Sequence, residues 1–153
     1  KNKEKANTAE AGKLLVLIRI SGMVKVNQDI EETLQRLRLK RKYACTLVNS
    51  NKNVQGMIKK VKHYIAYGEI DDSTLKKLID ERAESKEGRK KEIKIDSGIV
   101  NNLKAGKRLS EFGLKEFFRL HPPRKGIKSK LQYPKGDLGN NKKDINKLIE
   151  RML

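Results

Sequence analysis

Apolar and polar positions along this chain follow two rhythms, a continuous run and a three-to-four repeat, and each predicts an element. Lys13 to Ile20 (KLLVLIRI) is a nearly unbroken apolar run, interrupted only by Arg19, and its length suits a central strand. Ser21-Gly22 breaks it. Asn27 then offers an N-cap, with Asp29, Glu31 and Glu32 in the first turns of a helix. Ile30, Leu34 and Leu37 form that helix's buried stripe, and Arg36, Arg38 and Lys40 complement the dipole at its exit. Tyr43 to Val48 reads as a second strand, and Asn49-Ser50-Asn51 as a turn that caps the next helix. There Val54, Met57, Ile58, Val61 and Ile65 recur at helical spacing, whereas Lys52, Gly56, Lys59, Lys60 and His63 occupy the opposite face. Tyr64 to Ile70 is expected as a third strand.

After Gly68 the pattern changes. Asp71-Asp72-Ser73 offers a cap for a helix carrying Leu75, Leu78, Ile79 and Arg82. Residues 84–92 (ESKEGRKKE) have no apolar side chain and read as a mobile linker. Ile99, Val100 and Leu103 suit a short helix, with Gly106 and Gly113 as stops. Leu114, Phe117 and Phe118 suit either another helix or, since Phe118 and Leu120 alternate with Arg119 and His121, a strand. Residues 121–143 hold seven Lys or Arg against one acid, together with all three prolines of the chain. So few apolar residues predict a long basic loop that takes its order from a partner. Its Tyr133 either stacks on a base or packs on the domain. Ile145, Leu148, Ile149 and Met152 make the stripe of a final helix beginning near Lys142.

Charge turns these elements into a functional expectation. The 153 residues carry 37 Lys or Arg against 19 Asp or Glu, a net charge of +18 that would repel itself unless a polyanion neutralised it. Nucleic acid is the expected partner, with an anionic membrane surface as the other option. No apolar run long enough to cross a membrane is present, and the polar stretch 1–12 has no signal-like pattern. Cys45 stands alone in an apolar strand, so a buried free thiol in a reducing cytosol is expected.

Patterns that would carry catalysis are missing. There is no phosphate-cradling Gly-rich loop followed by Lys-Ser or Lys-Thr, and no Gly-x-Ser-x-Gly elbow. Asp71 and Asp72 have no third carboxylate, His or Cys at matching spacing, which leaves a capping role. His63 and His121 stand far apart, within basic surroundings that suit hydrogen bonds to phosphate or sugar. With aromatics at 5% and no aromatic pair on a strand, base-stacking platforms find little support, and backbone-dominated recognition of folded RNA is expected.

At this point a family comes into view. LLVLIRISG, TLQRLRLKRKY and VNSNKNVQGMIKKVKHYIAYG together resemble the universal large-ribosomal-subunit protein family, numbered thirty in bacteria and archaea and seven in eukaryotes. GMIKKVKH is the most specific part of that match. FRLHPPRKGIKSK and GDLGNNKKDINKLIERM are similar to the archaeal and eukaryotic branch alone. The resemblance implies an α+β protein with a ferredoxin-like βαβαβ core, three strands with two helices on one face, over residues 13–70. It also implies a structural constituent of the large subunit without enzymatic activity or cofactor. Expected partners are large-subunit rRNA, a position near 5S rRNA and neighbouring ribosomal proteins, with neither membrane nor small-molecule substrate. The chain departs from the family at Lys125, where a second Gly is usual, and at Asn141, where Arg is common.

The chain thus divides into a polar extension at 1–12, the core at 13–70, a helical insertion at 71–120 and the basic loop with its helix at 121–153. Arg19, Arg38, Lys40, Arg41 and Lys42 around the first helix exit are expected to touch RNA. So are Lys52, Gly56, Lys59, Lys60 and His63 on the second helix. Arg119, His121, Arg124, Lys125, Lys128, Lys130, Lys135 and Lys142 complete the set. The alternative is a free regulatory or RNA-processing-associated nucleic-acid binder.

Overall fold

The computed structural model describes residues 14–22, 24–83, 98–105, 107–127, 131, 133 and 135–153. The expectations placed on 1–12 and on the 84–92 linker lie outside these residues. Five strands, β1 (Leu14–Arg19), β2 (Ala44–Asn49), β3 (Ile65–Glu69), β4 (Phe117–Arg119) and β5 (Gly139–Asn140), form one sheet in the order β4-β2-β1-β3-β5. The expected sheet of three strands is therefore corrected to five, within a mixed α+β architecture. β4 adds to β2 antiparallel, and β5 adds to β3 in parallel. Only one of these additions was legible: the alternation around Phe118 pointed to β4 as one option, while two residues as small and polar as Gly139-Asn140 carry no strand signal.

β1 lies at the centre, antiparallel to both β2 and β3. Successive side chains of a strand point to opposite faces, so its unbroken apolar run must be covered on both. Leu15 and Leu17 meet Leu34, Ile58 and Val61 from helices α1 (Gln28–Arg36) and α2 (Lys52–Val61), together with Leu37 at the C-cap of α1. Val16 and Ile18 face the other way, into a core shared with α3 (Asp72–Arg82), α4 (Ile99–Lys104) and α5 (Ile145–Met152). The chain after Ile70 thus supplies the second layer over the sheet. Burying this layer removes Leu75, Leu78, Ile79, Ile145 and Ile149 from water completely, each contributing about 1.5–3 kcal/mol.

The helix ends follow the sequence closely. Asn27 caps α1 by accepting from the Asp29 amide at 3.2 Å, and Asn51 caps α2 by accepting from Val54 at 2.8 Å. α1 closes with Arg38 in the left-handed region at φ 62°, while Leu39 N donates to Leu34 O and Arg38 N to Gln35 O. That Schellman arrangement ordinarily places Gly where Arg38 stands. Asp71 takes the N-cap position of α3 without a side-chain capping bond, and Asp72 pairs instead with Lys104 of α4.

Two contacts fasten α5 to β3. Asn146 accepts from the Asp71 amide at 2.9 Å and donates to the carbonyls of Glu69 and Lys143 at 3.2 and 2.8 Å. Gly68 packs so closely that a Cβ there would meet the Lys142 carbonyl, with Ile145 Cγ2 at 2.9 Å. The helical option over Leu114–Phe118 is not realised. A 3-10 turn at Leu109–Phe112 ends at Gly113, whose φ of 73° suits glycine, and the chain proceeds into β4.

Candidate nucleic-acid interface

Arg19 does not face solvent. Strand parity turns its side chain toward the α1–α2 layer, where it is only 2% exposed. Its Nη1 donates to the carbonyls of Leu39 and Lys40 at 2.9 and 3.1 Å, Nε to Ser21 at 3.2 Å and Nη2 to Gly22 at 3.4 Å. Burial lowers its pKa, an effect the charge of Glu31 partly opposes. The expectation that Arg19 touches RNA is corrected: the side chain is buried, with four of its five N–H donors bonded to backbone carbonyls. It ties the 39–40 backbone to the 21–22 turn, which fixes the loop from which Lys40, Arg41 and Lys42 project into solvent. A single cation inside an apolar run was the signal for this interior role.

β4 brings distant cations to that loop. Arg119 lies opposite Ala44 in the ladder, and Leu120 N donates to Tyr43 O at 3.2 Å. A cleft of about 440 Å³ results, with Arg38, Lys40, Arg41, Lys42 and Arg119 around it. Arg38 is shared with an acid, since its guanidinium lies 2.5 Å from Glu116.

The outer face of α2 is as the periodicity predicts. Lys52, Gly56, Lys59 and Lys60 are all exposed on it, and His63, expected on the same helix, is exposed in the turn just beyond its end. A Cβ added at Gly56 would meet nothing within 4 Å, so packing against another described element does not explain this glycine. Lys59 and Lys60 lie in the last turn, where cations complement the helix dipole. This turn leads to Tyr64, whose carbonyl accepts from Ile20 and Ser21 at 3.1 Å each, and to Ile65, which pairs with Arg19. The end of α2, the Lys40–Lys42 loop and Arg119 therefore gather at one end of the sheet.

The basic loop is divided between two places. Residues 121–127 follow β4 and dock on the end of α5: His121 N donates to Met152 O at 3.2 Å, and Arg124 N to Arg151 O at 3.1 Å. The His121 ring lies between the Pro122 carbonyl, at 2.7 Å, and that of Leu153. Half-buried and engaged in this way, His121 helps to dock this segment on the end of α5. Arg124 and Lys125 remain exposed. Lys125, where the family resemblance led us to expect Gly, adopts φ 65°, so this turn keeps a glycine-like conformation without glycine. Lys128 and Lys130 lie outside the described residues.

The second half of the loop is pinned to the opposite sheet edge through β5. Leu138 is buried, and buried Asn141 donates to the carbonyls of Asp137 and Gly139 at 2.8 and 3.2 Å. Tyr133 packs on the domain, its hydroxyl donating to Asp144, which pushes its pKa up. Lys135 is exposed; Lys142, also exposed, sits beside Gly68 at the other end of β3, apart from the Lys40–Lys42 loop.

Cys45 is a buried free thiol whose pKa is pushed up by desolvation, as expected of an inert core cysteine. Among the described residues no group of three or more His, Cys, Asp or Glu is placed to hold a metal ion, and no helix is long and apolar enough to cross a membrane.

The family model for ribosomal protein L30p/L7e matches residues 15–65, the β1-to-β3 unit with both of its helices. The large ribosomal subunit protein uL30 of Archaeoglobus fulgidus is 37% identical, with 91% of this chain and 99% of that protein covered. The uL30 proteins of Korarchaeum cryptofilum and Saccharolobus solfataricus are each 39% identical, each over 92% of this chain and over 95% and 98% of their own lengths. These matches extend well beyond β3 into the layer built by α3 to α5. The similarity spans both faces of the sheet, and the chain belongs to the ribosomal protein L30p/L7e family.

Proposed function

We propose that this protein is a structural constituent of the large ribosomal subunit that binds and stabilises folded rRNA through phosphate and shape contacts. Its β1-to-β3 unit would be the ferredoxin-like part of the family fold. The observation that carries this reading is the gathering of exposed cations at one end of the sheet, in a chain of this family with a net charge of +18. Lys40, Arg41, Lys42, Lys59, Lys60, His63 and Arg119 form the main RNA surface. Lys52 and Gly56 extend it along α2, with Gly56 admitting close approach of the RNA backbone. Arg124 and Lys125 carry it onto the docked loop, and Lys128, Lys130, Lys135 and Lys142 add phosphate contacts beyond it. Arg38 contributes once Glu116 is displaced or shared. Neighbouring ribosomal proteins and a position near 5S rRNA complete the proposed surroundings, and neither catalysis nor a cofactor is required.

Binding of this kind depends steeply on salt, because each phosphate neutralised releases counterions. If roughly six to ten phosphates are contacted, affinity for large-subunit rRNA falls about 10³- to 10⁵-fold between roughly 50 and 200 mM salt. The test is a salt titration paired with sedimentation of cell lysate at moderate salt. A flat titration, or a chain that stays at the top of the gradient away from large subunits, contradicts the proposal.

A further inference from the structure

The cleft between the 38–43 loop and β4 offers more than charge. Phe117 and Tyr43 both line it and both are only partly buried. Cations sit over these rings rather than against acids. The Arg119 guanidinium carbon lies 5.7 Å from the Phe117 centroid, and Lys42 Nζ lies 5.1 Å from that of Tyr43. Among the described residues no carboxylate lines the cleft, and Glu116, next to Phe117, points its carboxylate to Arg38. The volume of about 440 Å³ falls within the rough 300–1,000 Å³ range of small-ligand sites, far too small for a duplex.

Aromatic faces and unneutralised cations in one small recess select a particular chemistry. A double-stranded RNA keeps its bases stacked inside and presents phosphates, so it satisfies the cations and leaves the rings unused. An acidic peptide does the same. An unpaired nucleotide supplies both a π-face for the rings and a phosphate for the lysines. Building on the rRNA-binding role, we propose that this cleft holds a single unpaired rRNA nucleotide, its base against Phe117 and Tyr43 and its phosphate on Lys40, Lys42 and Arg119. Backbone-dominated binding would then be supplemented by one stacking site that neither the low aromatic content nor the spacing of Tyr43 and Phe117 discloses. The two residues lie far apart in sequence, and the β2–β4 ladder, continued by the bond from Leu120 N to Tyr43 O, brings both to the cleft.

The test uses the full-length protein bound to large-subunit rRNA. Ultraviolet irradiation followed by mass spectrometry maps nucleotide adducts, which are expected on Tyr43 or Phe117. The Phe117→Leu variant, which keeps an apolar side chain and removes the ring, is expected to lose about tenfold in rRNA affinity. Adducts confined to other residues in bound wild-type protein overturn the proposal, as does a folded Phe117→Leu variant that binds rRNA as tightly as wild type. If that variant does not fold, the wild-type adduct map decides alone. Wild-type protein that binds no rRNA defeats the rRNA role itself, whereas normal binding without these adducts defeats only the nucleotide site.

Discussion

The guanidinium of Arg19 donates to the carbonyl of Leu39 across 2.9 Å, joining the end of the central strand to the exit of α1. Three further carbonyls, of Lys40, Ser21 and Gly22, take three of its four other N–H donors. One buried cation thereby holds the loop on which three exposed cations stand. Arg19→Met leaves these carbonyls without their partner and is expected to cost about 3 kcal/mol in denaturant unfolding. Arg19→Lys recovers little of this, because an ammonium cannot reproduce the planar fork. Because Arg19 makes no phosphate contact, the salt slope of rRNA binding by still-folded variant stays at the wild-type value. A slope reduced by about one would return Arg19 to the RNA surface.

Gly68 carries no side chain because α5 has taken its place. Gly68→Ala drives a methyl into the Lys142 carbonyl and Ile145, and backbone cannot yield as a flexible side chain does. A loss of about 1–3 kcal/mol is expected, visible as a lower thermal midpoint. Unchanged stability would mean that α5 sits farther from β3 than described.

Gly56 presents the opposite situation. Nothing occupies the space beside it, so Gly56→Ala is expected to raise helix stability by about 1 kcal/mol. The same glycine is proposed to admit the RNA backbone. Gly56→Leu should therefore fold at least as well as wild type and bind rRNA more weakly, measured by direct titration. Equal affinity sinks the close-approach idea while leaving the cationic face intact.

Lys125 separates conformation from charge. Its φ of 65° costs a lysine more than a glycine, so Lys125→Gly is expected to gain about 0.5–1 kcal/mol once the extra chain entropy of glycine is subtracted. Losing one exposed cation should at the same time reduce the salt slope of rRNA binding by about one. Stability and binding moving in opposite directions is the signature to look for.

The sequence by itself determined the local elements and the sign of the partner. Asn27 and Asn51 announced their caps, Ile30, Leu34 and Leu37 their helix face, and the unbroken run through Leu17 a central strand, because capping bonds and side-chain periodicity act within a few residues. The net charge and the outer face of α2 pointed to a polyanion for the same reason: charge is additive and needs no fold to be counted. What the tertiary structure decided were relationships between segments far apart in sequence. It added β4 and β5 to the sheet, placed α3 to α5 over its second face, and brought Arg119 to Lys40–Lys42. It also withdrew Arg19 into the protein, since whether a cation meets solvent or a carbonyl depends on which backbone ends up beside it. Two-residue β5 shows the limit most plainly. Gly139 and Asn140 have no intrinsic preference for a strand, and only the exposed edge of β3 makes them one.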